Sequence, residues 1–118
     1  MLTVPISVGE LLDKITILEI KTEKIYDQSK LVNIWNELNS LKALAEDYKS
    51  IITEELKLVN QNLWEIEEKI REKEKLQQFD EEFIHLARSV YINNDKRSEL
   101  KRKINLETNS SLIEEKSY

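Results

Sequence analysis

Residues 30–76, KLVNIWNELNSLKALAEDYKSIITEELKLVNQNLWEIEEKIREKEKL, contain no glycine, no proline and no strong helix stop. Within them Leu31, Ile34, Leu38, Leu41, Ala45, Tyr48, Ile52, Leu56, Val59, Leu63, Ile66 and Ile70 keep helical phase throughout. Taken literally, this is one helix of roughly 45 residues, about 68 Å long at 1.5 Å per residue. A straight rod would leave the first and last helices on different halves of it, each with a thin core. A turn near 47–53, with Ser50 as a cap, closes a four-helix bundle instead. Local pattern favours the rod and burial favours the bundle. The expectation carried forward is the bundle.

Working outward, Pro5 keeps residues 2–6 extended. Ser7 and Glu10 form a capping-box pair, and Ile6 and Leu11 hold the two hydrophobic-staple positions. The first helix is placed at about 7–26, with Leu11, Leu12, Ile15, Leu18, Ile25 and Tyr26 on one face. Ile17 and Ile20 point elsewhere, so this helix must bury two sides. It either lies centrally or meets a second subunit. Asp27 or Ser29 caps the second helix, about 29–47, and the third runs over about 51–76. Phe79 as staple, Asp80 as cap and Glu81-Glu82 in the first turn open the fourth helix, about 80–107, which stops near Asn109. The tail, 110–118, carries Leu112, Ile113 and Tyr118 and has the means to dock.

Composition agrees with one all-α domain spanning 1–118. One Gly and one Pro leave few turns, and 35% charged with 40% apolar residues suits an antiparallel bundle with extended ends. The absence of cysteine removes disulfides and thiolate metal sites, which makes the cytoplasm the default location. The N-terminal residues do not read as a signal peptide, and no apolar run approaches the roughly 20 residues of a membrane span. A net charge of −5 argues against nucleic acid or an anionic membrane as partner.

Three segments carry a resemblance: GELLDKITILEIK at 9–21, NLWEIEEKIR at 62–71 and ARSVYINNDKR at 87–97, joined by the closing EEKSY at 114–118. Over nearly its full length the chain resembles a small all-helical family of bacterial and phage proteins, a domain of unknown function. The resemblance implies a shared fold. It carries no activity, substrate or catalytic residue.

Polar residues interrupt the apolar face of the fourth helix. Phe83, Ala87 and Val90 continue as Asn94, Arg97 and Lys101 before Ile104. Burying an unpaired charge costs several kcal/mol, so these groups must be paired, solvated or facing a cavity. A hairpin folded at 77–79 sets Glu68 opposite Arg88, Glu55 near Lys101 and Asn62 near Asn94, with Lys14 and Lys21 able to approach the same level. This is either a polar pocket for a small anionic ligand or an internal ion-pair network that sets register. A second stripe, Asn60, Trp64, Glu67 and Arg71, flanks the third helix beside Arg88, Tyr91 and Asp95. Trp64 there either stacks a planar ligand or lids the core. The candidate ligand residues are therefore Lys14, Trp64, Glu68, Arg88, Tyr91, Asn94, Arg97 and Lys101.

Metal chemistry has weak support. Glu65-x-x-Glu68 and Glu10-x-x-Asp13 do not match an all-helical pyrophosphatase order, and Glu10 and Asp13 are read as pointing away from the core face. His85, three residues after Glu82, is the only histidine, which leaves a di-iron site without its second copy. No metal and no cofactor is expected. The leading expectation is a non-enzymatic interaction or assembly module, a homodimer or other homo-oligomer meeting through Ile17 and Ile20. The alternative is a ligand-binding protein or enzyme using the pocket at Arg88, Asn94 and Arg97.

Overall fold

In a computed structural model covering residues 1–118, the first helix, α1 (Val8–Lys24), is the hub of an all-α bundle and touches every other helix. Around it lie α2 (Gln28–Leu44), α3 (Glu54–Lys75) and α4 (Glu81–Glu107), with a single 3-10 turn at Glu46–Tyr48. The two-sided apolar pattern of α1 is thus met by a central position. Leu11, Leu12, Ile15 and Leu18 pack with Ile34 and Leu38 of α2, Leu56 of α3 and Ile104 of α4 in one buried cluster. Apart from the 3-10 turn that follows it, the second helix leans on α1, whereas α3 and α4 form a long hairpin.

The continuous pattern over 30–76 does not produce a rod. After Leu44 the chain unwinds through successive tight turns, Tyr48 N–H to Ala45 carbonyl and Ile51 N–H to Tyr48 carbonyl. Tyr48 and Ile51 thereby fold against the core, which a straight helix would carry past them. The cap of α3 is Thr53 rather than Ser50, and its side chain makes no capping bond.

Other ends are set by named side chains. Ser7 accepts the Glu10 N–H, Asp27 accepts from Ser29 and Lys30, and Asp80 accepts from Phe83. Only half of the capping box forms, because the Glu10 carboxylate turns to Lys101 instead of the Ser7 backbone. Two joints use left-handed residues other than glycine, Gln77 (φ 53°) and Asn109 (φ 52°). Each is followed by a six-residue closing bond, Gln78 N–H to Lys73 carbonyl and Ser110 N–H to Asn105 carbonyl. Residues 1–6 are extended and exposed, and no strand pairs them with the tail.

The start of α1 is seated on the end of α4. Val8 N–H donates to Ser110 Oγ and Gly9 N–H donates to Asn105 Oδ1 at 2.6 Å. Glu10 and Leu11 N–H groups go to Ser7, so all four first-turn donors are satisfied. Gly9 permits this approach: a Cβ there would stand 2.5 Å from the Lys101 carbonyl oxygen.

Burial is uneven. None of residues 61–100 is fully buried, although they include Leu63, Ile66, Ile70, Phe83, Leu86 and Val90. Beyond the body the hairpin is two helices with nothing laid across them. The accessible surface is 8566 Å² for 14.0 kDa, against about 6,700 Å² for a compact monomer of that mass.

Candidate functional site

The most buried charged group is one that sequence reasoning turned outward. Asp13, 0% exposed, points into the junction of α1, α3 and α4. Its position follows from α1 itself, since Asp13, Ile17 and Ile20 stand at i, i+4 and i+7. A helix that buries Ile20 on its second side buries Asp13 two turns earlier on the same stripe.

Three residues complete that carboxylate's surroundings. Arg97 on α4 presents Nε to Asp13 Oδ1 at 3.0 Å and Nη2 to Oδ2, a side-on two-pronged pair. Asn60 on α3 donates one Nδ2 hydrogen to Asp13 Oδ1 at 2.9 Å and the other to Thr16 Oγ1 at 2.8 Å. Thr16 spends its own hydrogen on the Asp13 carbonyl, so its oxygen must accept from Asn60. This fixes the amide orientation of Asn60 by chemistry. The bond to Asp13, against the opposing effect of burial, holds the Arg97 guanidinium above its ordinary value.

One turn further along α4, Lys101 Nζ bonds Glu10 Oε2 at 2.6 Å and lies 3.7 Å from Glu114 of the tail. Burial is the largest single effect and works against the Glu10 carboxylate, but the bond and the charge of Lys101, helped by the Lys14 charge, together leave its carboxyl below the ordinary value. Glu10 and Asp13 are therefore inward partners of α4, which corrects their outward assignment.

Beside this network opens a cleft of about 650 Å³ between α1, α3 and α4. Ile17 and Ile20 form its floor, Leu63, Trp64, Glu67, Glu68 and Arg71 line the α3 side, and Val90, Asn94 and Arg97 the α4 side. The Trp64 indole N–H donates to Glu68 at 2.7 Å, which holds the ring along the wall. On the far side of Arg97 a smaller hollow of about 210 Å³ is bounded by Asn94, Ser98, Lys101, Lys116 and Tyr118.

The candidate residues thus divide. Trp64, Glu68, Asn94 and Arg97 share the cleft, and Lys101 stands at the neighbouring hollow. Lys14 is exposed and paired with Glu10 at 3.6 Å, away from the cleft. Arg88 and Tyr91 are exposed and line neither space. The cross-hairpin pairings also differ: Glu68 bonds Trp64 rather than Arg88, and Lys101 pairs with Glu10 and Glu114 rather than Glu55. Ile20, 1% exposed, is covered by its own chain, so it offers no free surface to a second subunit. Ile17 is half-buried at the cleft floor.

These features define a small all-α protein, a central helix clasped by a hairpin through a buried ion pair. The chain belongs to the Family of unknown function (DUF6165), whose family description matches residues 2–118. No curated protein and no solved structure matches it. None of its helices is long and apolar enough to cross a membrane.

Proposed function

We propose that the chain is a non-enzymatic helical assembly module, a cytoplasmic homodimer whose α3–α4 arms pack on one another. The observation that carries this reading is the absence of any fully buried residue from 61 to 100. A two-helix hairpin covers one side of its apolar stripe, and a third layer is needed for the rest. Two copies related by a two-fold axis supply it reciprocally, as a four-helix bundle built from two hairpins. The surplus surface of about 1,900 Å², to which the exposed residues 1–6 also contribute, exceeds the roughly 800 Å² per partner that a stable interface covers. Ile70, Phe83 and Leu86 would form its centre, in place of Ile17 and Ile20.

Sedimentation equilibrium tests the reading directly. The expected mass is twice the 14.0 kDa of the chain, falling to that of one chain in Ile70→Asp with Phe83→Asp, while circular dichroism keeps its helical form. A wild-type chain that sediments as a monomer at high concentration overturns it.

A further inference from the structure

The cleft has a polar end that its own protein leaves unfinished. Asn60 is 5% exposed, and both its Nδ2 hydrogens are spent on Asp13 and Thr16. Its Oδ1, on a residue that lines the cleft, receives no hydrogen bond from the chain. Arg97 spends Nε and Nη2 on Asp13, and its Nη1 amino group is unpartnered. The Asn94 amide, at the same level of α4, makes no side-chain bond either. An accessible acceptor on a residue otherwise buried, a charged-group donor and a free amide therefore stand together at one end. Ile17, Ile20, Leu63 and Val90 with the Trp64 ring make the remainder apolar. The volume lies within the roughly 300–1,000 Å³ of small-molecule sites.

Charge selects the class of occupant. Arg97 and Arg71 are set against Asp13, Glu67 and Glu68, so the cleft carries no spare positive charge for an anion. A cation at the polar end would face Arg97. What remains is a neutral molecule with a flat apolar body and an edge bearing a donor next to an acceptor. We propose that the cleft binds a nucleobase-like heterocycle, with its ring along Trp64 and its edge hydrogen-bonded to Asn60 Oδ1, Arg97 Nη1 and the Asn94 amide. The site lies at the root of the hairpin and does not depend on the assembly reading.

The test uses the indole N–H signals of the full chain, which contains two tryptophans, Trp35 on α2 and Trp64. Adenine, cytosine and uracil are titrated separately, with inorganic phosphate as comparison. A saturable shift of the Trp64 signal with at least one base, with the Trp35 signal still, is the expected result. Asn60→Leu strips Asp13 of a donor and so tests folding as well as binding. Asn94→Leu, nearer the rim, is the cleaner variant and should weaken binding roughly ten-fold, the scale of one hydrogen bond made in a site partly closed to water. Movement of Trp64 with phosphate alone, no movement with any base, or undiminished base binding in Asn94→Leu overturns the proposal.

Discussion

Asp13 and Arg97, 84 residues apart in sequence, form the one ion pair in the molecule whose acid is wholly withdrawn from solvent. It ties α1 to α4 at the point where α3 also arrives through Asn60. Asp13→Ala should cost about 3 kcal/mol in urea unfolding, because it leaves a guanidinium and an amide without their acceptor. Asp13→Leu combined with Arg97→Met should recover most of that loss. If the double variant is as unstable as the sum of the two singles, the residues do not act as a pair.

Gly9→Ala should destabilise by about 1–3 kcal/mol, despite the roughly 1 kcal/mol by which alanine favours a helix. The new methyl would meet the Lys101 backbone oxygen at 2.5 Å and Asn105 Oδ1 at 2.9 Å. A backbone carbonyl inside a helix cannot step aside, so α1 must lift from α4. Equal or greater stability by urea titration would show that this approach is looser than described.

The pH dependence follows from three depressed carboxyls. Burial opposes ionisation of Glu10, but its Lys101 partner prevails; the Ser29 hydroxyl and the Lys30 N–H lower Asp27, and Lys73 lowers Asp80. Each folded-state value lies below its unfolded one, so the unfolded chain takes up protons first. Their stabilisation is fully present above the ordinary values of 4.5 for Glu10 and 3.8 for the aspartates. It is lost as pH falls through the folded values. Thermal unfolding should therefore be level near neutrality and decline below about pH 4.5, with Glu10→Gln flattening part of the decline.

Hydrogen exchange should separate the hairpin from the body. Amides of residues 66–86 should exchange faster in the Ile70→Asp, Phe83→Asp variant than in wild type, while those of α1 stay unchanged. Uniform acceleration would mean that the arm and the body unfold as one unit.

Removing residues 112–118 should cost less than about 1 kcal/mol, because its ion pairs are largely solvated. Arg102 meets Glu115 at 2.8 Å with both side chains exposed, and Glu114 is the more distant of the two acids at Lys101. Differential scanning calorimetry of the shortened chain measures this.

Much of the architecture is legible in the residues. Ser7, Asp27 and Asp80 mark helix starts because a short polar side chain before an apolar periodic run has one efficient use, accepting first-turn N–H groups. Asn94, Arg97 and Lys101 stand out because polar groups on a buried stripe must have partners. The partners themselves are hard to read. Asp13 sits away from the leucine-rich face of α1, and only the burial of Ile17 and Ile20, settled by α3 and α4, turns it inward. The bend after Leu44 is equally silent locally, since the apolar stripes of α2 and α3 stay in phase across it. Tertiary burial of Tyr48 and Ile51 decides it. Exposed Arg88 and Tyr91 stand about 180° and about 120° of helical rotation from Arg97 at about 100° per residue, so spacing alone already sets them off its stripe.

The seating of Val8 and Gly9 on Asn105 and Ser110 has a bearing on synthesis. On the ribosome α1 is made before α4, yet the groups that complete it come from the end of α4 and the residue beyond it. Until α4 has left the exit tunnel, α1 has only α2 and α3 for shelter. A nascent chain stalled before α4 emerges would present Ile17 and Ile20 to chaperones.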